Sequence, residues 1–133
     1  MRIIYSQKDG EIYLSRDKFR ELVYPISRTS RNSKLLVKIF FYKNPTGYNW
    51  RGNFRSFVDH GFYKNEEKFW NAGKRGIITL KIRPDTKKKD LFSLFAHEFY
   101  HWRQSQVVNY SRGRYSEKKA NKWADKMTIK NFK

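Results

Sequence analysis

The sequence has no cysteine among its 133 residues. This absence excludes disulfide bonds, thiolate nucleophiles and cysteine-ligated zinc, and with them a secreted disulfide-bonded scaffold. No apolar run approaches the length of a membrane span, and no apolar signal segment follows the opening MRIIYSQKDG. These absences predict a cytoplasmic protein that has no membrane partner.

Acidic residues are also scarce. The chain has 12 Asp and Glu against 30 Lys and Arg, which gives a formal net charge of +18. The excess is spread along the chain and includes the lysine run 87–89 and a lysine-rich C-terminal segment. Such a charge favours polyanions, so nucleic acid is a candidate partner, through its backbone rather than its bases. The alternative is a compositional bias, because Lys, Asn, Tyr, Phe and Ile are all abundant.

The chain has only three histidines, and two of them form an HExxH motif, His97-Glu98-Phe99-Tyr100-His101. The surrounding run 90–107 lacks Gly and Pro, which predicts a helix with Asp90 as its N-cap. Residues four apart share a helix face, so His97 and His101 can point two imidazoles at one metal ion. Glu98 can take a proton from a water that the metal activates. An aromatic stripe falls on a different side of this helix and predicts its buried face: Phe92, Phe95, Phe99 and Trp102.

A catalytic zinc site usually has three protein ligands and one open position for water. The best candidate for the third ligand is Glu117, in the segment SEKKANKWADKM. Ala120, Asn121 and Ala124 share its helical face, and the small alanines allow this helix to approach the first closely. Ser116 could cap the helix. His60 is the rival third ligand, in a predicted turn.

Together these residues resemble a known family. HExxH followed by E-x-x-A-N-x-(aromatic)-A is similar to the glutamate zincins, most of all to the ImmA/IrrE-like metallopeptidases and the single-domain minigluzincins. The matching downstream positions are Glu117, Ala120, Asn121, Trp123 and Ala124. The resemblance implies that His97, His101 and Glu117 bind Zn²⁺ and that Glu98 is the general base. Other zincin patterns fit less well, because no histidine follows His101.

The predicted function is therefore a zinc metallopeptidase acting on a protein or peptide, and the resemblance suits cleavage of a repressor or similar regulator. Tyr110 and Tyr115 are positional candidates for stabilising the oxyanion, and Asp125 for orienting an imidazole. Two alternatives stay open. One is a basic nucleic-acid-binding protein without proteolytic activity, and the other is a small toxin or nuclease-like hydrolase that uses the same metal. The oligomeric state is not predicted.

The sequence predicts one domain, 1–133, of the α+β class. We expect a small antiparallel or mixed sheet, packed against the HExxH helix and the C-terminal glutamate-bearing helix. The apolar stretches 1–5 and 35–42 predict strands, and the turn 44–47 predicts a hairpin that returns residues 50–58 beside the second of them. Residues 77–83 alternate in polarity, which predicts a strand with one wet face. Between the first two strands, a helix capped by Ser15 is expected to end at Pro25.

Overall fold

The computed structural model describes residues 1–7, 14–32, 35–41, 51–55, 76–82, 86–105 and 114–132. Four strands and three helices lie in these ranges: β1 (Arg2–Gln7), α1 (Arg16–Ser27), β2 (Leu35–Phe41), β3 (Arg51–Arg55), β4 (Gly76–Ile82), α2 (Lys88–Ser105) and α3 (Arg114–Asn131). This confirms the predicted α+β class. The predicted turn at 44–47 lies outside the described residues.

The four strands form one sheet in the order β1-β2-β4-β3. β2 pairs in parallel with β1 on one side and with β4 on the other, and β3 pairs antiparallel with β4. The predicted hairpin between β2 and the following strand is therefore wrong, since β4 lies between them. The apolar sequence LLVKIFF suits the interior position that β2 takes instead.

β4 also lies inside the sheet. The prediction that one face of this strand is exposed to water is wrong at Thr79, which is only 8% exposed. Thr79 lies in register with Lys38 of β2 on one side and with Asn53 of β3 on the other. Ile78 and Leu80 point to the opposite side and are fully buried in the main core. Within the described part of the chain, β3 is thus the edge of the sheet next to β4.

α1 begins as predicted, because the Ser15 Oγ accepts a hydrogen bond from the Lys18 backbone N–H at 3.2 Å. It does not end at Pro25 but continues to Ser27. An interior proline costs about 3 kcal/mol. Burial of an isoleucine side chain stabilises by about 1.5–3 kcal/mol, and Ile26 is completely buried. That burial largely offsets the cost of the proline and holds the last turn in helical form.

The core lies between the sheet and the helices α1 and α2, and aromatic rings fill much of it. The largest fully buried side chains include Trp102, Phe19, Phe92, Phe95 and Phe99. Phe19 of α1 meets Phe95 of α2 edge to face, with ring centroids 5.4 Å apart. The predicted aromatic stripe of α2 is therefore its core face, and it fixes the rotation of that helix about its own axis.

Both C-terminal helices begin earlier than the sequence predicts. α2 begins at Lys88 and α3 at Arg114, so Asp90 and Ser116 lie in first turns and are not N-caps. The added residues Lys88 and Lys89 are exposed, and so they contribute no apolar periodicity from which a boundary could be read. Tyr115, which the sequence predicts in the loop between the two helices, belongs to the first turn of α3.

Candidate metal site

The HExxH motif lies in the second half of α2, where the core-facing aromatic stripe fixes the direction of the histidines. With Phe95 and Phe99 fully buried on one side, His97 and His101 face away from the sheet toward α3. The His101 side chain is completely buried and that of His97 is 15% exposed. The rings meet edge to face with centroids 4.8 Å apart, so two successive turns present their imidazoles to the same place.

α3 supplies the third member of the group, Glu117, from its first turn. Ala120 and Ala124 are buried at 0% and 2% exposure along the side of α3 that Glu117 shares. Their small side chains let the two helix backbones approach closely, as the sequence predicts. Asn121, predicted on the same face, is instead exposed, because it lies on the margin of the apolar stripe.

The three side chains meet at close range. The His97 Nε2 lies 3.0 Å from Glu117 Oε2, and the His101 Nε2 lies 2.8 Å from Glu117 Oε1. The two Nε2 atoms are 3.2 Å apart. One carboxylate therefore presents each of its oxygens to a different imidazole, although 20 residues separate it from His97.

These separations suit a single small cation. A tetrahedral ion with ligand bonds of about 2.0–2.1 Å places its ligand atoms about 3.3 Å apart. The two Nε2 atoms are 3.2 Å apart, and each lies slightly closer, at 3.0 and 2.8 Å, to a different oxygen of the Glu117 carboxylate. The Glu117 side chain is 40% exposed and has room to move outward by the difference. His97, His101 and Glu117 thus form a group that could hold a metal ion.

Glu98 lies beside this group without belonging to it. Its Oε1 is 3.9 Å from the His97 Nε2, and its side chain is 3% exposed. The residue follows His97 directly, so its side chain leaves the helix about 100° around the axis from that histidine. The result is a buried carboxylate whose Oε1 lies 3.9 Å from one of the three converging side chains, at the His97 Nε2.

A second cluster beside the site was not predicted from the sequence. The Arg103 guanidinium lies over the Trp123 ring at 4.7 Å and over the Tyr100 ring at 5.5 Å, and so connects α2 to α3. The Tyr100 and Trp123 rings are 5.9 Å apart. Such cation–π contacts stabilise by about 0.5–1 kcal/mol each where they are partly exposed. The three-residue spacing of Tyr100 and Arg103 was the one signal available for this contact.

Among the remaining predicted site residues, Asp125 is the one whose side chain the structure describes. Asp125 is exposed on α3, so it does not orient an imidazole. Tyr115 lies in the first turn of α3, and nothing is described of its side chain. His60 and Tyr110 lie outside the described residues.

Comparisons with family models, with curated proteins and with solved structures find no significant match to this chain. The helices in the described ranges also include none that is long and apolar enough to cross a lipid bilayer. The features of this chain that bear on its function are the geometry of the His97, His101 and Glu117 group and the net charge of +18.

Proposed function

We propose that the protein is a zinc-dependent metallopeptidase, with His97, His101 and Glu117 as the zinc ligands and Glu98 as the general base. The observation that carries the proposal is the meeting of the Glu117 carboxylate with both Nε2 atoms, at 3.0 and 2.8 Å, from a separate helix. An HExxH pattern arising by chance on a solvated helix face gives no reason for a distant carboxylate to converge on both histidines.

The donor set favours zinc over the harder cations. Two imidazole nitrogens and one carboxylate oxygen are typical of catalytic zinc sites, whereas magnesium and calcium prefer oxygen ligands throughout. Three protein ligands leave one coordination position for water or substrate. Zinc held by His97, His101 and Glu117 would supply a lowered pKa for a bound water and polarisation of a carbonyl oxygen.

The chain's own residues then provide the proton transfers. Glu98 accepts a proton from the attacking water and donates it to the leaving amine of the cleaved peptide bond. Its Oε1 lies 3.9 Å from the His97 Nε2, close enough for one water beside them to contact both the carboxylate and the ligand group. Its burial keeps bulk water away and so strengthens its electrostatic interaction with the reacting atoms.

The sheet supports a peptide as the substrate. β3 lies at the edge of the sheet, pairs antiparallel with β4 and contacts α2, the helix that carries the motif. An edge strand offers backbone N–H and C=O groups to an extended chain. In the described sheet, this antiparallel edge strand lies beside the HExxH helix, where an extended peptide could pair with it.

The proposal is tested with Glu98→Gln, which keeps the size of the side chain and removes its basicity. We expect this variant to bind zinc like the wild type and to lose at least about 100-fold in peptide hydrolysis, the size of a general-base contribution. The assay is cleavage of a quenched fluorescent peptide library, with a chelator to abolish the activity and added zinc to restore it.

Glu21→Gln is the matched control, because Glu21 is an exposed carboxylate on α1, 71% accessible, and should leave hydrolysis unchanged. Wild-type protein loaded with zinc that cleaves no member of the library, or a Glu98→Gln variant that retains full activity, would show that the proposal is wrong. Cleavage of a nucleic-acid substrate in place of the peptides would favour the nuclease-like alternative.

A further inference from the structure

The side of α3 that faces away from the metal group carries a row of lysines at intervals of four residues. Lys122, Lys126 and Lys130 are all exposed, and we name these three residues the lysine row. At about 1.5 Å per residue, neighbouring members lie about 6 Å apart along the helix axis. Among the described residues, none of the three ammonium groups forms an ion pair with a carboxylate.

The lysine row lies on the opposite face of α3 from Glu117. At about 100° per residue, Lys126 is about 180° around the helix from Glu117. The side chains that pack toward α2, Ala120 and Ala124, are buried, which places the lysine row on the solvent side. A partner bound there would leave the metal group accessible.

The charge pattern fits a polyanion. Like charges four residues apart on a helix repel each other, and the repulsion is relieved when an anionic partner lies along them. A nucleic-acid duplex offers phosphates at close and regular intervals, and lysine binds phosphate as a point charge. No aromatic side chain lies within the lysine row, so stacking on unpaired bases is not what this face provides.

A membrane surface fits less well. A helix that lies in the membrane interface needs a broad apolar face beside its basic residues. In the described part of α3, Ile129 is the one large hydrophobic residue that is exposed, at 69%. One isolated side chain does not make such a face.

We propose that the lysine row binds the phosphate backbone of a nucleic-acid duplex without reading its sequence. This binding is independent of the proposed peptidase activity, because the two surfaces lie on opposite sides of α3. A substrate protein that is itself bound to the duplex would then be held near the metal group.

The test compares four forms of the full chain by fluorescence anisotropy, on a short DNA duplex and on the RNA duplex of the same sequence, across a salt titration, and by binding to phosphatidylserine vesicles. The first is wild type. The second carries Lys122→Gln, Lys126→Gln and Lys130→Gln. The third carries Lys87→Gln, Lys88→Gln and Lys89→Gln, a matched control that removes the same charge from other exposed lysines.

We expect the variant of the lysine row to reduce the slope of log affinity against log salt by about 2.7, from three lost phosphate contacts at about 0.9 each. The control should keep most of the wild-type slope, and the fourth form, a triple Lys→Arg variant of the row, should keep all of it. Circular dichroism establishes that each form is folded.

Three results would overturn the proposal. The first is an equal decrease of the salt slope in the row variant and in the control, which would show that binding depends on net charge and not on the position of the lysines. The second is wild-type affinity in the row variant, and the third is row-dependent binding to phosphatidylserine vesicles without duplex binding. None of these results bears on peptide hydrolysis, so the proposed peptidase activity is tested separately.

Discussion

Replacing Glu117 by glutamine should weaken zinc binding by about two orders of magnitude. Structural zinc sites with four ligands bind the ion with about 10–16 kcal/mol, or about 2.5–4 kcal/mol per ligand. At 1.4 kcal/mol per tenfold change, loss of one ligand corresponds to about 60- to 700-fold. Because the Glu117 side chain is 40% exposed, water can take the vacated position, which favours the lower part of that range.

The measurement is a competition titration of zinc between the protein and a chromophoric chelator at fixed pH. Asp125→Asn is the matched control, since it removes one negative charge from an exposed position of the same helix. We expect this control to stay within about twofold of wild type, because an exposed charge at that distance is screened by salt. Wild-type affinity in Glu117→Gln, or an equal loss in Asp125→Asn, would refute the assignment of Glu117 as a ligand.

Two further predictions concern the stability of the scaffold, measured by urea denaturation. Ala124→Leu inserts a large side chain where α3 approaches α2 with only 2% exposure, and should cost about 1–3 kcal/mol from overpacking and weaken zinc binding as well. Lys122→Leu, at an exposed position of the same helix, should stay within about 0.5 kcal/mol, and an equal effect of both changes would contradict the close approach. Ser15→Ala should cost about 1 kcal/mol by removing the cap of α1, and unchanged stability would show that the Lys18 N–H is satisfied without it.

The elements that follow from the sequence are those with a strong apolar period. The aromatic stripe of α2 specifies both the helix and its buried side, and the direction of the two histidines follows from it. The alanines of α3 indicate in the same way that Glu117 lies on the side that meets α2. The proposed ligand group was predictable because its members are set by helical spacing and by residue size, both of which are local properties.

The features that the sequence does not reveal depend on contacts between distant segments. The position of β4 between β2 and β3 is decided by pairing across the sheet, while adjacency in sequence favours a hairpin. The continuation of α1 through Pro25 depends on the burial of Ile26 against the core, which offsets most of the cost of the proline. The contact of Arg103 with Trp123 requires α3 to be in place, so the three-residue spacing of Tyr100 and Arg103 in α2 indicates only the contact with Tyr100.

The uneven exposure of the three converging side chains has a consequence for the kinetics of metal exchange. His101 is completely buried and His97 nearly so, whereas Glu117 faces solvent at 40%. A cation that enters the proposed site would therefore pass the carboxylate, and a departing one would leave by the same route. The rate at which a chelator strips the protein should accordingly follow how often the Glu117 side chain swings aside.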